Sequence, residues 1–137
     1  MGHTYSQIYL HIVWGTKNRN GLIVEEIEKD IYAIIHVKAK EHDSEIIAIG
    51  NVQDHIHVLV KISTKTQISK MVSGFKGSTA YFINHNSKNR LYWQNGYGIL
   101  SVSLPAMDTV KRYVENQKNK HKSNETLGEL EILTQSK

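Results

Sequence analysis

Two histidines stand two positions apart in the segment His55-Ile56-His57-Val58-Leu59-Val60-Lys61-Ile62. Side chains alternate in direction along a strand, so Ile56, Val58, Val60 and Ile62 share one face and His55, His57, Leu59 and Lys61 the other. The two imidazoles then sit about 6–7 Å apart at the backbone. Both can lean toward one ion, at roughly 2.0–2.1 Å from each ring nitrogen. Taken alone, the pattern is weak evidence for a metal and also fits two exposed or hydrogen-bonded histidines. Farther along, Tyr113 and Gln117 are spaced to share one helix face, a turn apart, close to Met107, Val110 and Val114. An ion held by His55, His57 and the carboxamide oxygen of Gln117 would keep open positions, as a Lewis-acid site requires. It would offset the charge of a phosphate, and Tyr113 could attack the phosphorus to form a covalent link. A phenol ionises near pH 10, and a nearby cation favours the phenolate. The link conserves the energy of the broken bond, so a later hydroxyl can reverse it. That is strand-transfer chemistry.

The elements that must position these groups follow from periodicity. Gln7 to Gly15 reads as a strand, with Ile8, Leu10, Ile12 and Trp14 on one face and Tyr9, His11 and Val13 on the other. Glu25 to His42 reads as a helix whose first turn carries Glu25, Glu26 and Glu28, where acids suit the dipole. Ser44–Val52 and His55–Ser63 read as strands joined by the turn Gln53-Asp54. Gln67 to Asn86 reads as a second helix, with Met71, Val72, Phe75, Thr79, Phe82 and Ile83 inward. Gly74 and Gly77 within it suggest close packing. Leu91 to Ser103 is strand material broken by Asn95-Gly96-Tyr97-Gly98. Ser103-Leu104-Pro105 then starts a third helix over Met107–His121. The order β-α-β-β-α-β plus a C-terminal helix predicts an α+β fold on the split β-α-β, ferredoxin-like or RRM-like plan. Its antiparallel sheet has two helices on one face, which leaves the other face for a site.

At 137 residues and 15.7 kDa the chain is sized for one core. One domain is expected over 1–122, followed by a tail over 123–137. There is no cysteine, which excludes disulfides, thiolate metal sites and Cys nucleophiles. No apolar run is long enough to cross a bilayer, and the N-terminus lacks the pattern of a signal peptide. A cytoplasmic protein with no membrane partner is expected. The net charge of +4 is unevenly placed. Lys61 to Lys122 holds eleven Lys or Arg against two acids, a plausible phosphate-binding surface.

Five segments, spread in order from Tyr9 to about His121, carry a resemblance. They are His11-Ile12-Val13-Trp14-Gly15-Thr16-Lys17, Asp54-His55-Ile56-His57-Val58-Leu59-Val60, Phe75-Lys76-Gly77-Ser78, Trp93-Gln94-Asn95-Gly96-Tyr97-Gly98 and Tyr113-Val114-Glu115-Asn116-Gln117. Together they resemble the small tyrosine transposases of the IS200/IS605 type, within the HUH endonuclease superfamily. The resemblance implies a bacterial or archaeal enzyme that cuts single-stranded DNA at element ends and recognises small hairpins there. It implies a 5′-phosphotyrosine on Tyr113, which leaves a free 3′-hydroxyl, and a divalent ion on His55, His57 and Gln117. The ion is magnesium or manganese, and two imidazoles suit manganese at least as well. It further implies a homodimer in which the tyrosine helix of one protomer can complete the site of the other. Relatives often carry paired histidines after the glutamine, whereas Lys118-Asn119-Lys120-His121 carries one.

Lys17, Arg19, Lys70, Lys76 and Lys111 are expected among the contacts to DNA phosphates. Trp93 and Tyr97 either stack on unpaired bases or pack at the sheet end. His3, His11, His36, His42 and His85 receive no role. Two other functions share parts of this pattern. An RRM-like binding module without chemistry would need aromatics on its central strands, where His55 and His57 stand instead. A metallo-hydrolase working through ion-bound water would need a carboxylate base, and none is evident near the histidine pair.

Overall fold

The computed structural model describes residues 4–122; residues 1–3 and 123–137, and with them the expected tail, lie outside the described residues. The elements are β1 (Ile8–Gly15), α1 (Glu25–Glu41), β2 (Glu45–Val52), β3 (His55–Ile62), α2 (Ile68–Asn86), β4 (Gly98–Val102), α3 (Met107–Glu115) and α4 (Gln117–Lys122). Short 3₁₀ turns cover Lys17–Arg19 and Leu104–Ala106. The strands form one sheet in the order β2-β3-β1-β4, and every neighbouring pair is antiparallel.

Register sorts the two faces. Residues directly opposite one another in an antiparallel pair point the same way. Ile12 faces Val58, and Trp14 faces Ile56, so these share a face with Leu10, Val60 and Ile62. That face is covered by Ile27, Ile31, Ile35 and Ala39 of α1 and by Met71, Val72, Phe75 and Ile83 of α2, and it holds the main core. On the other face His11 lies opposite Leu59, Val13 opposite His57, and Gly15 opposite His55. Ala48 and Gly50 of β2 complete this face beside Leu59 and His57.

The second face is not left open. α3 docks on it, with Val110 and Val114 packed on Ala48 and Leu59 in a separate small cluster. The expected continuous third helix breaks at Asn116 (φ −105°, ψ 28°), and Gln117 opens α4. Asn116 turns the chain with its backbone N–H and its side-chain amide both donating to the Arg112 carbonyl, at 3.0 and 2.9 Å. Only Gly98–Val102 of the expected last strand pairs as a strand. Trp93 makes an isolated bridge to Thr16 instead.

Two expectations about α2 change. Phe82 points largely outward while Ile83 takes the core position. The glycines do not mark a close approach: a Cβ on Gly74 would meet the ends of two side chains, His42 at 3.5 Å and Lys38 at 4.0 Å, and one on Gly77 would meet nothing within 4 Å.

Candidate active site

β3 delivers His55 and His57 to the α3 side of the sheet, and α3 delivers Tyr113 to meet them. The His55 and His57 ring centroids are 5.1 Å apart, and those of His57 and Tyr113 are 5.9 Å apart, edge to face. Gln117 lies past the helix break, yet it stays with the group because its Nε2 donates to the Tyr113 carbonyl at 3.0 Å. The rings of His55, His57 and Tyr113 therefore meet within one chain, and Gln117 is tied to the Tyr113 backbone beside them. All are buried: His57 is 0% exposed, Gln117 1%, His55 2% and Tyr113 3%.

The close docking depends on a small residue beneath. Gly50 pairs with His57. A Cβ on Gly50 would stand 1.8 Å from the Val114 carbonyl oxygen and 3.5 Å from Gln117 Cγ. The close-approach glycine thus lies on β2, not on α2 where the sequence pointed.

Each histidine has its Nδ1 turned toward a protein partner. His55 Nδ1 lies 2.7 Å from Asp54 Oδ1. Arg19 Nη2 lies 3.2 Å from the other Asp54 oxygen and 3.3 Å from His55 Nδ1. Nδ1 cannot donate to the carboxylate and accept from the guanidinium at once, so the shorter contact sets Nδ1–H on the Asp54 side. Burial alone would raise the Asp54 carboxyl, but the hydrogen bond from His55 and the Arg19 guanidinium outweigh it and hold it below its ordinary value. The loop that carries Arg19 is tied down. Asn18 and Arg19 both adopt left-handed backbone (φ 57° and 55°), and the Thr16 N–H donates to the Asp54 carbonyl at 2.9 Å.

His57 Nδ1 meets a residue to which the sequence analysis assigned no role. His11 Nε2 lies 2.8 Å away, and the two rings stack with centroids 5.0 Å apart and planes at 14°. The signal was present, since His11 opens the first resemblance segment and falls on the face opposite Ile12 and Trp14. Periodicity gave it a face but no partner, because the partner is 46 residues away.

α4 is tethered to the far side of β2. Lys118 Nζ lies 2.9 Å from Glu28 Oε2 and 3.4 Å from the Asn51 carbonyl. Asn51 donates to the same Glu28 oxygen at 3.1 Å and accepts from the Tyr32 hydroxyl. Burial, helped by Glu28, pushes the Tyr32 phenol up to about 12.

The cationic residues divide. Lys17, Lys70 and Lys111 are exposed. Arg19 is half engaged with Asp54 and His55. Lys76 is half-buried, donates to the carbonyls of Gln94 and Gly96, and is lowered by burial. Lys17 and Lys76 line a cleft of about 690 Å³ with Tyr92, Asn95 and Tyr97. Trp93 packs on Trp14 and donates to Thr79 Oγ1 at 3.0 Å, so it belongs to the core edge. The His121 side chain lies outside what is described.

Among the described residues no group of three or more His, Cys, Asp or Glu side chains is gathered to hold a metal. His55 and His57 supply two imidazoles whose Nδ1 atoms contact Asp54 and His11, so Nε2 is the ring atom that would ligate in each. The nitrogen end of the Gln117 amide is used by Tyr113, so its oxygen is the end suited to a cation. Two imidazoles and an amide oxygen fit manganese or magnesium as an incomplete ligand set that solvent or substrate oxygens would finish.

These features define an α+β protein with a four-stranded antiparallel sheet and a buried histidine–tyrosine–glutamine cluster. Residues 4–117 match the family described as Transposase IS200 like, and the chain belongs to that family. It is 28% identical to the ISDra2 transposase TnpA of Deinococcus radiodurans over 126 residues, 87% of this chain and 89% of the relative. It is 23% identical to the IS200 insertion-element transposase of Salmonella typhimurium over 134 residues, 93% of this chain and 88% of the relative. Among solved structures it resembles a candidate transposase from D. radiodurans, with a TM-score of 0.65, 25% identity, and 85% and 96% of the two chains covered. It shares its fold with a REP-associated tyrosine transposase bound to a REP hairpin, with a TM-score of 0.68, 14% identity, and 88% and 73% covered. Among the described residues no helix is long and apolar enough to cross a membrane.

Proposed function

We propose that this transposase cuts and rejoins single-stranded DNA through a 5′-phosphotyrosine on Tyr113, at hairpin-flanked element ends. The observation that supports the reading is the gathering of the His55, His57 and Tyr113 rings on one face of the sheet, with Gln117 bonded to the Tyr113 carbonyl. The strand order, with β3 between β1 and β2, supports the split β-α-β plan, with the nucleophile on the appended helix. His55, His57 and Gln117 would hold a divalent ion, Mg²⁺ or Mn²⁺, which when bound supplies positive charge to the scissile phosphate.

The Tyr113 oxygen attacks phosphorus, the bond from phosphorus to the 3′ oxygen breaks, and the phenol proton ends on the departing 3′-hydroxyl. A 3′-hydroxyl on another strand reverses the step, with the same bonds exchanged and no nucleotide cofactor required. Lys17 and Arg19, on the turn after β1, would meet DNA phosphates, and exposed Lys70 and Lys111 would extend the basic surface.

The burial of all four groups sets a condition. A DNA phosphate can reach them only if the segments that cover them move, and α3 with α4 is the candidate. The docking patch is small (Val110 and Val114 on Ala48 and Leu59), which suits reversible release. It also suits a homodimer in which the tyrosine helix serves either its own site or that of the partner. Labelled hairpin single strands incubated with Mn²⁺ and run on a denaturing gel test the reading. A mass-shifted protein band is expected from the unaltered chain and none from Tyr113→Phe, which retains hairpin binding. Cleavage by Tyr113→Phe at the unaltered rate would refute it.

A further inference from the structure

We infer that His11 is a positioning residue for His57. Its Nε2 accepts the Nδ1 proton of His57, so the proton of His57 is on Nδ1 and the lone pair that would bind a cation is on Nε2. The inference rests on the ligand role of His57 proposed above and goes beyond it.

His11 sits in the middle of β1, opposite Leu59 on one side and Leu100 on the other, and is 1% exposed. Strand propensity and burial at that place favour a β-branched apolar side chain. A buried imidazole is costly there unless its nitrogens are bonded. His57 is the diagonal neighbour of His11 across the β1–β3 pair, within reach on the same face. The 2.8 Å contact and near-parallel stack hold both the distance and the plane of the His57 ring.

A neutral imidazole offers one donor and one acceptor. Only two arrangements satisfy the bond. In one, His57 donates from Nδ1 and its Nε2 carries a lone pair. In the other, His11 donates from Nε2, and His57 must carry its proton on Nε2, where it cannot ligate. The tautomer of His11 therefore decides whether His57 can take an ion. Asp54 does the same for His55, so both rings are fixed through Nδ1 by neighbours of different chemistry. Ring partners of this kind orient metal-binding histidines and raise their basicity.

The test is Mn²⁺ binding to the full chain, read by the loss of the free-ion EPR signal, alongside metal-free melting curves. His11→Leu, which fills the space without an acceptor, is expected to weaken Mn²⁺ binding by about ten- to a hundredfold. His11→Gln, whose amide oxygen can stand near the Nε2 position, is expected to restore most of it. Wild-type affinity in His11→Leu overturns the inference. If His57→Ala also binds Mn²⁺ as the wild type does, the ligand reading has failed instead. Should His11→Leu not fold, long-range proton–nitrogen NMR of the metal-free wild type decides. A proton on His57 Nδ1 supports the inference, and one on Nε2 overturns it.

Discussion

The Val114 carbonyl oxygen lies 1.8 Å from the place a Gly50 Cβ would occupy, nearer than any real Cβ contact. Gly50 is the strand partner of His57, and Val114 follows Tyr113 in the chain. A close backbone approach between the tyrosine helix and the sheet thus falls beside the histidine pair. Backbone meets backbone there, and only a residue without a side chain permits it.

Gly50→Ala should therefore displace α3 and α4 rather than leave them in place with a small strain. Overpacking of this kind costs about 1–3 kcal/mol, readable as a lowered denaturation midpoint. Adduct formation should fall by more than tenfold, since Tyr113 and Gln117 move together. Gly77→Ala is the control: it has open space at the Cβ position and sits inside α2, so it should raise stability by up to about 1 kcal/mol. Unchanged melting and adduct yield in Gly50→Ala would refute the docking role.

Lys17 and Lys76 line the same cleft but should behave differently on substitution. Lys17 is exposed. If it meets a phosphate, Lys17→Ala lowers hairpin affinity and reduces the slope of log affinity against log salt by roughly 0.7–0.9. Lys76 holds the carbonyls of Gln94 and Gly96, so Lys76→Ala should loosen that loop and lower stability. Its effect on affinity should not track salt in the same way. Filter binding across a salt series separates the two, and an identical change in slope for both would refute the distinction.

What could be read from sequence was mostly what alternation and local spacing encode. The β3 pattern placed Ile56 and Val58 in the core and the two histidines opposite them, and the pairing with β1 agrees. The helix face of Tyr113 was also legible, because Val110 and Val114 repeat beside it. Three features were not. The break at Asn116 has no Gly or Pro to announce it; the Asn116 backbone and side-chain amide close it on the Arg112 carbonyl, a cap that the apolar periodicity does not show. Gly50 looked like any strand glycine, since its reason is a carbonyl 64 positions away. Phe82 and Ile83 are adjacent apolar residues, and periodicity alone could not say which turns inward.

The Glu28–Lys118 pair should matter more for the tyrosine helix than for global stability. Lys118 is well exposed and Glu28 is not, so the pair contributes at most about 1 kcal/mol. A double-mutant cycle with Glu28→Gln and Lys118→Met should return a coupling of about 0.3–1 kcal/mol in unfolding. The same cycle on adduct rate should also be non-additive, because the pair holds α4 and hence Gln117 against β2. Additive effects on both measurements would mean that the tether is not formed in solution.

Tyr32 supplies a pH signature for the same tether. Its hydroxyl donates to Asn51, and burial next to Glu28 pushes the phenol up to about 12. In the unfolded chain the phenol ionises near pH 10. Below about pH 10 both states are protonated and the contribution of Tyr32 is complete. Between about 10 and about 12 the unfolded state sheds its proton while the folded state keeps it, so stability falls as pH rises. Tyr32→Phe has no proton to lose. The stability gap between wild type and Tyr32→Phe should therefore narrow, or reverse, between pH 9 and pH 11.5 in urea titrations. Other titrating groups affect both proteins alike and cancel in the difference. A gap that stays constant across that range would show that Tyr32 is not held as a buried donor to Asn51.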